Sequence, residues 1–253
     1  RSERNNCTLE IDEDDVLEET KNKKFSSTDS CKINIDNTFL VSFKPQKKVR
    51  FSSGDLLAIT PTGESTKRYY SIAKIGNSIL LSVKKHEFGV CSNYLHGLHK
   101  NEEISASIQE NKNFHFPKKT KEVVLVANGT GIAPFLGMIQ GNKKVKIHLF
   151  WGGRTKKSLE IYNKYIHTAL ENKTLTSFNS AYSQEQNTYV QDLLENKTEL
   201  ISTILRQQGV IMICGSLNMQ SGVEKVIDKI AGEQLQSNIQ SLKDNEQIKT
   251  DCY

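Results

Sequence analysis

Apolar and polar positions follow two different rules along this chain. Between residues 33 and 110 the apolar residues come in short runs: FLVSFK (39–44), DLLAIT (55–60), RYYSIAKI (68–75), SILLSVK (78–84) and EEISASI (102–108). Gly, Pro, Asn and Ser part them. Runs of this length predict β-strands, and their close spacing predicts antiparallel pairing. Gly76-Asn77, between two of the runs, suits a two-residue hairpin turn. This half reads as a small antiparallel barrel.

After Pro117 the pattern changes. VVLVA (123–127), VKIHLFW (145–151) and GVIMIC (209–214) are almost unbroken apolar runs, and each ends in a glycine-bearing turn. Each turn leads into a stretch with helical spacing: IAPFLGMIQ, SLEIYNKYIHTAL and NMQSGVEKVIDKIAG. Strands that are apolar throughout, alternating with helices, predict a parallel sheet covered on both faces. Ligands of such sheets bind beyond the carboxyl ends of the strands, where all three turns fall. We therefore expect an antiparallel β-barrel followed by a doubly wound α/β domain, over residues 31–117 and 118–253. Residues 1–30, polar and acidic, read as a linker or tail.

Composition narrows the classes. Hydrophobic residues make up 36% of the 253, above what a disordered chain shows. No stretch approaches the roughly 18–20 apolar residues of a membrane helix. Cysteines 7, 31, 91, 214 and 252 form no CxxC pair, so no structural zinc or plant-type iron–sulfur centre is expected and the metal expectation is none. The thiols suggest a reducing compartment, the cytoplasm or the cytoplasmic face of a membrane. The net charge of +5 is unevenly placed: residues 1–24 hold five bases and eight acids, leaving +8 on the rest. A basic body suits an acidic partner, or is simply a solvated lysine surface. Nothing points to nucleic acid.

Several short motifs could carry chemistry. Gly129-Thr130-Gly131 lies between an apolar strand and a helix, where glycine lets backbone N–H groups approach a phosphate. Gly89-Val90-Cys91-Ser92 reads as another anion-ready helix start, with Ser92 as its cap. Arg68-Tyr70-Ser71 belong to a barrel strand. Taken singly, these are equally a plain turn, an ordinary capped helix and a packed tyrosine pair, and Cys214 at a strand end is a structural thiol.

In order, however, RxYS (Arg68, Tyr70, Ser71), GVCS (89–92), GTGIAPF (129–135), FWGGR (150–154), YSQEQ…YVQ (182–191) and CGSLNM (214–219) resemble the ferredoxin–NADP reductase superfamily. They are most similar to the FAD/NADPH half of diflavin reductases such as the sulfite reductase flavoprotein and the nitric oxide synthase reductase region. The resemblance runs over about residues 39–253. The ending Asp251-Cys252-Tyr253 is similar to that family's C-terminus, so the true end of the protein is expected here. The resemblance implies that Arg68 neutralises the FAD diphosphate together with the backbone of Gly89, Val90, Cys91 and Ser92. Tyr70 would stack on the flavin, Ser71 would lie near its reactive nitrogen, and Tyr253 would cover the opposite face. Ser71, Cys214, Asp251 and Tyr253 form the implied catalytic set. Gly129, Thr130, Gly131, Pro134, Arg154, Ser183, Gln184, Tyr189, Gln191, Asn218 and Met219 would hold NADPH.

Three departures bear on function. Gln184 stands where the family carries an arginine for the 2′-phosphate, and the segment Gln186–Tyr189 is two residues short and lacks a lysine. NADH is therefore an alternative donor to NADPH. Ser216 replaces an acid after the Cys-Gly pair. There is also no room for the helical insert of true diflavin enzymes. The resemblance implies hydride transfer from NAD(P)H to FAD and single-electron delivery to an acidic acceptor: a flavodoxin-like FMN domain, flavodoxin or ferredoxin. We expect the C-terminal reductase module of a larger protein; a stand-alone reductase and a non-catalytic flavin-binding module are the alternatives.

Overall fold

The computed structural model describes residues 21–28 and 32–253. The acidic run Glu10–Glu19 lies outside them.

Seven strands form one antiparallel sheet: β1 (Lys23–Ser27), β2 (Thr38–Pro45), β3 (Leu56–Ile59), β4 (Arg68–Ser71), β5 (Ala73–Ile75), β6 (Ser78–Lys84) and β7 (Glu103–Gln109), in the order β4-β3-β7-β1-β2-β6-β5. The two edge strands, β4 and β5, are consecutive in the chain and separated only by the fully buried Ile72. That junction curls the sheet into a near-barrel, and the run RYYSIAKI, read as one strand, is two. The Gly76-Asn77 hairpin joins β5 to β6, with Ile75 opposite Ser78 and Gly76 at φ +59°. Alternate residues point inward, so Phe39, Val41 and Phe43 of β2 meet Leu57, Ile59, Ile79 and Leu81 in the interior. Helix α1 (Val90–Gly97) closes one end through Cys91 and Leu95.

Strand β1 corrects the sequence reading. It starts inside the segment taken as a tail, and it sits centrally between β2 and β7. KKFSS has one apolar side chain, Phe25, and that residue is fully buried. One phenylalanine among polar residues gives no periodicity to detect.

The second unit alternates strands and helices: β8 (Glu122–Asn128), α2 (Ala133–Gln140), β9 (Lys146–Gly153), α3 (Lys156–Leu159), α4 (Asn163–Glu171), β10 (Ser177–Tyr182), α5 (Val190–Glu195), α6 (Thr198–Arg206), β11 (Val210–Gly215), α7 (Leu217–Leu235), α8 (Ile239–Asp244) and β12 (Ile248–Cys252). The sheet is parallel, ordered β10-β9-β8-β11-β12. Alternate β8 residues serve opposite cores: Val123, Leu125 and Ala127 join α2 and α4, whereas Val124 and Val126 join α5, α6 and α7. Three strands were expected, and β10 and β12 complete five. Chain direction across the sheet reverses between β8 and β11, and the crevice of such a fold opens there.

Candidate functional site

The barrel presents a cleft of about 370 Å³ beside β4 and the start of α1. All eight residues singled out for FAD line it: Arg68, Tyr70, Ser71, Gly89, Val90, Cys91, Ser92 and Tyr253. As an edge strand, β4 leaves one side free for a ligand, and the Arg68 side chain is exposed. Phe88, 89% exposed, and the exposed Tyr69 and Val90 add apolar wall. Gly89, not Ser92, is the N-cap of α1. Ser92 sits a turn inside, donating from Oγ to Gly89 O at 3.0 Å and accepting from His86 N–H at 3.2 Å. A side chain at Gly89 would meet Ser92 Oγ at 2.5 Å. The serine thus shapes the loop, and the first N–H groups of α1 stay free for a ligand. Burial and the Cys91 thiol push the Tyr70 phenol upward, keeping it neutral.

A second cleft, of about 480 Å³, lies at the carboxyl ends of β8, β9 and β11. Gly129, Thr130, Arg154, Ser183, Tyr189, Gln191, Asn218 and Met219 line it. Three expected residues do not. Gly131 is buried against the Cys214 carbonyl, where a Cβ would come within 2.2 Å. Pro134 is buried in the first turn of α2, and Gln184 is exposed, its N–H donated to Arg154 O at 2.9 Å. These three support the walls rather than form them. Gly129 has φ +51° and open space around its Cβ position, and its carbonyl accepts from Trp151 Nε1 at 3.1 Å and from the Tyr162 hydroxyl at 3.5 Å. The loop is held from behind and free in front.

The barrel supplies wall residues that sequence reasoning missed. Asn34, Asp36, Thr38 and Lys84 line the nucleotide cleft from across the unit boundary. Asn34 Nδ2 also donates to Ser158 O at 3.3 Å, linking the β1–β2 loop to α3. Asn34 and Asp36 come from the β1–β2 loop and Thr38 and Lys84 from strand ends, none with a motif of its own, and only the docking of the two units brings them in.

Thr130, Lys84 and Tyr253 border both clefts. At this junction Ser71 Oγ donates to Asp251 Oδ2 at 2.7 Å, and the Cys214 thiol lies 4.0 Å from the same oxygen. Burial raises the Asp251 carboxyl above the usual carboxylate range, against the opposing Ser71 hydrogen bond. Burial, and then the Asp251 charge, push the enclosed Cys214 thiol well up, so it stays protonated. The Tyr253 hydroxyl shares a 3.1 Å hydrogen bond with Thr130 Oγ1, and its N–H donates to Gly215 O at 2.9 Å. The four residues of the expected catalytic set therefore come together where the clefts meet. Among the described residues no cluster of metal-ligating side chains occurs, and no helix is long and apolar enough to cross a membrane.

Comparison with known proteins agrees with this architecture. Residues 125–225 match the oxidoreductase NAD-binding domain family. Nitric oxide synthase of Anopheles stephensi is 34% identical over 64% of this chain and 15% of its own length. The NADPH-dependent diflavin oxidoreductase 1 of Candida albicans is 32% identical over 68% of this chain and 31% of its own. The sulfite reductase [NADPH] flavoprotein alpha-component of Buchnera aphidicola is 29% identical over 86% and 40%. The chain thus spans well under half the length of these relatives. A solved ferredoxin–NADP+ reductase from Plasmodium falciparum, a point mutant with 2'P-AMP, superposes with a TM-score of 0.73 over 92% of this chain and 96% of that one, at 17% identity. That likeness is one of fold.

Proposed function

The chain belongs to the ferredoxin–NADP reductase superfamily, and from that premise we propose that it is an FAD-dependent oxidoreductase module that oxidises NAD(P)H and passes electrons singly to an acidic acceptor. The observation that carries the proposal is the meeting of the two clefts at Thr130, Lys84 and Tyr253, with the Ser71–Asp251 hydrogen bond beside them.

The residues present fit both groups. The barrel cleft combines the rings of Tyr69, Tyr70 and Phe88 with a guanidinium and the free N–H groups of α1, the donor set a flavin with a diphosphate requires. In the other cleft Gly129 allows close backbone approach, and Arg154, Ser183, Tyr189 and Gln191 offer a cation and neutral donors to the far end of a dinucleotide. Bound FAD would supply the chemistry the side chains lack, accepting hydride from a reduced nicotinamide and releasing electrons one at a time. Arg68 and the start of α1 would anchor the diphosphate. Ser71 and Asp251 would orient the nicotinamide, and the carboxylate would stabilise positive charge developing on its ring. Cys214, held as a neutral thiol, would fill the floor without adding charge. Tyr253 would shield the junction until nicotinamide displaces it.

The net +8 on residues 25–253 favours an acidic electron acceptor; a flavodoxin-like domain of the same protein, a flavodoxin or a ferredoxin has that chemistry. The thiols Cys91, Cys214 and Cys252 are unpaired, which suits a cytoplasmic site of action. The test is to load the protein with FAD and add NADPH or NADH without oxygen. Loss of the visible flavin band with at least one donor is expected. Bound FAD that neither donor bleaches would overturn the enzymatic reading in favour of a non-catalytic flavin-binding module.

A further inference from the structure

Asn128 ends β8, one residue before the Gly129–Ile132 turn. Its side chain reaches sideways to the next strand's turn. Nδ2 donates to Ser216 Oγ at 3.0 Å, and Oδ1 accepts from the Ser216 N–H at 2.9 Å. Ser216 follows β11 directly and is the N-cap of α7, its Oγ accepting from the Met219 N–H. One amide therefore ties together the ends of β8 and β11, the neighbouring parallel strands at which the order of strands across the sheet reverses. The intervening Gly215 has φ +145°, and a Cβ there would lie 2.0 Å from Asn128 Oδ1. The asparagine fits only because position 215 lacks a side chain.

The tied residues adjoin the two anchors of Tyr253. Thr130, which holds the phenol, lies two residues after Asn128; Gly215, whose carbonyl holds the Tyr253 N–H, immediately precedes Ser216. If the turns drift apart, both anchors cannot be satisfied by one position of the ring.

We propose that Asn128 is a positioning residue: its double hydrogen bond to Ser216 fixes the separation of Thr130 and Gly215, and through them the placement of Tyr253 between the two clefts. The geometry stands by itself; the consequence for catalysis rests on the function proposed above. Asn128 need not touch either ligand to act. It sets how firmly the ring resists displacement.

The test places a fluorinated tyrosine at position 253 and compares wild type, Asn128→Ala, Asn128→Ser and Asn128→Asp by fluorine NMR in the flavin-free protein. Aspartate keeps an oxygen for the Ser216 N–H and accepts from its hydroxyl, so a wild-type line is expected. Alanine removes both links and serine is too short for both, so a broadened or shifted line is expected; the serine variant serves if the alanine variant does not fold. A wild-type line in Asn128→Ala or Asn128→Ser would overturn the proposal. In FAD-loaded protein, deleting Tyr253 should tighten NADP+ binding by about two- to tenfold, and by distinctly less when Asn128 is alanine. Equal gains in the two backgrounds would also overturn it. Failure to bind FAD would strike the function proposed above, while the fluorine line still decides the role of Asn128.

Discussion

Ser71 and Asp251 stand 180 positions apart and share a 2.7 Å hydrogen bond. Ser71 ends β4, an edge of the barrel, and Asp251 lies in β12, an edge of the parallel sheet. The polar group at the junction is thus assembled by docking rather than by either unit alone. Two other close approaches fix that docking. Lys249 Nζ donates to Asn113 O at 3.0 Å. On α2, Gly137 lies so near β5 that a Cβ would meet Lys74 N at 2.5 Å. A larger side chain at 137 would pry the units apart and separate Ser71 from Asp251.

Asp251→Asn should separate stability from turnover. Burial raises the Asp251 carboxyl in the folded state, so ionising it costs folding free energy at neutral pH. Below the ordinary carboxylate value of about 3.9 the group is protonated folded or unfolded, and the cost vanishes. The variant should therefore melt higher than wild type at pH 7, the gap closing as pH falls to about 3.5, while kcat for NAD(P)H oxidation drops. Thermal melts across pH, read beside steady-state rates, check both halves; a variant less stable at pH 7 would contradict the burial argument.

Arg68 should matter for FAD and little for FMN or riboflavin. A charge-assisted contact to the diphosphate is worth roughly 1.5–3 kcal/mol, or about ten- to a hundredfold in affinity. Arg68→Ala should weaken FAD by that factor, measured by quenching of flavin fluorescence. Flavin released by heat from the purified protein should be FAD; recovering FMN would sink the assignment.

How much of this was legible depended on whether residues act through their neighbours in sequence or in space. β8, β9 and β11 are buried on both faces, so each reads as an unbroken apolar run. The glycine turns at their ends were visible for the same reason. IKTDC of β12 carries only Ile248 as a deeply buried side chain, and SFNSAY of β10 is a half-buried edge. Neither shows a period. Lys84, Asp36 and Asn34 enter the nucleotide cleft only because the barrel packs against it. Ser92 was misread as a cap because a serine near a helix start is the common cap, whereas the loop geometry here gives that place to Gly89.

Discrimination between NADPH and NADH should be weak. Gln184 brings no cation to the cleft, and the Glu185 carboxylate accepts the Lys156 N–H at 3.1 Å. Neutral donors cannot reproduce the charged fork an arginine offers a phosphate. The two kcat/KM values should differ by less than about 1000-fold, roughly 4 kcal/mol. A larger preference for NADPH would mean that Lys156 or Lys157 has taken over the phosphate, and Lys156→Ala with Lys157→Ala would then abolish it.

Tyr253 should act as a barrier against nicotinamide. The residue is 64% exposed, yet it is held at both ends, by Thr130 and by Gly215, where the two clefts meet. A ring lying on a flavin there gains about 0.5–1.5 kcal/mol beyond area burial. Nicotinamide must offset that before it can reach the same face, whether or not the cofactor carries a 2′-phosphate. Deleting Tyr253 should therefore tighten NAD+ and NADP+ together. NADH and NADPH should gain by similar factors in kcat/KM, because the same displacement cost is removed for both. Turnover should fall as binding tightens, since nicotinamide that stays on the flavin delays product release. Titration of wild-type and truncated proteins with NADP+ and NAD+, followed in the flavin spectrum, separates this role from that of a loose terminus. Identical dissociation constants and identical spectra in the two proteins would refute the stacking role.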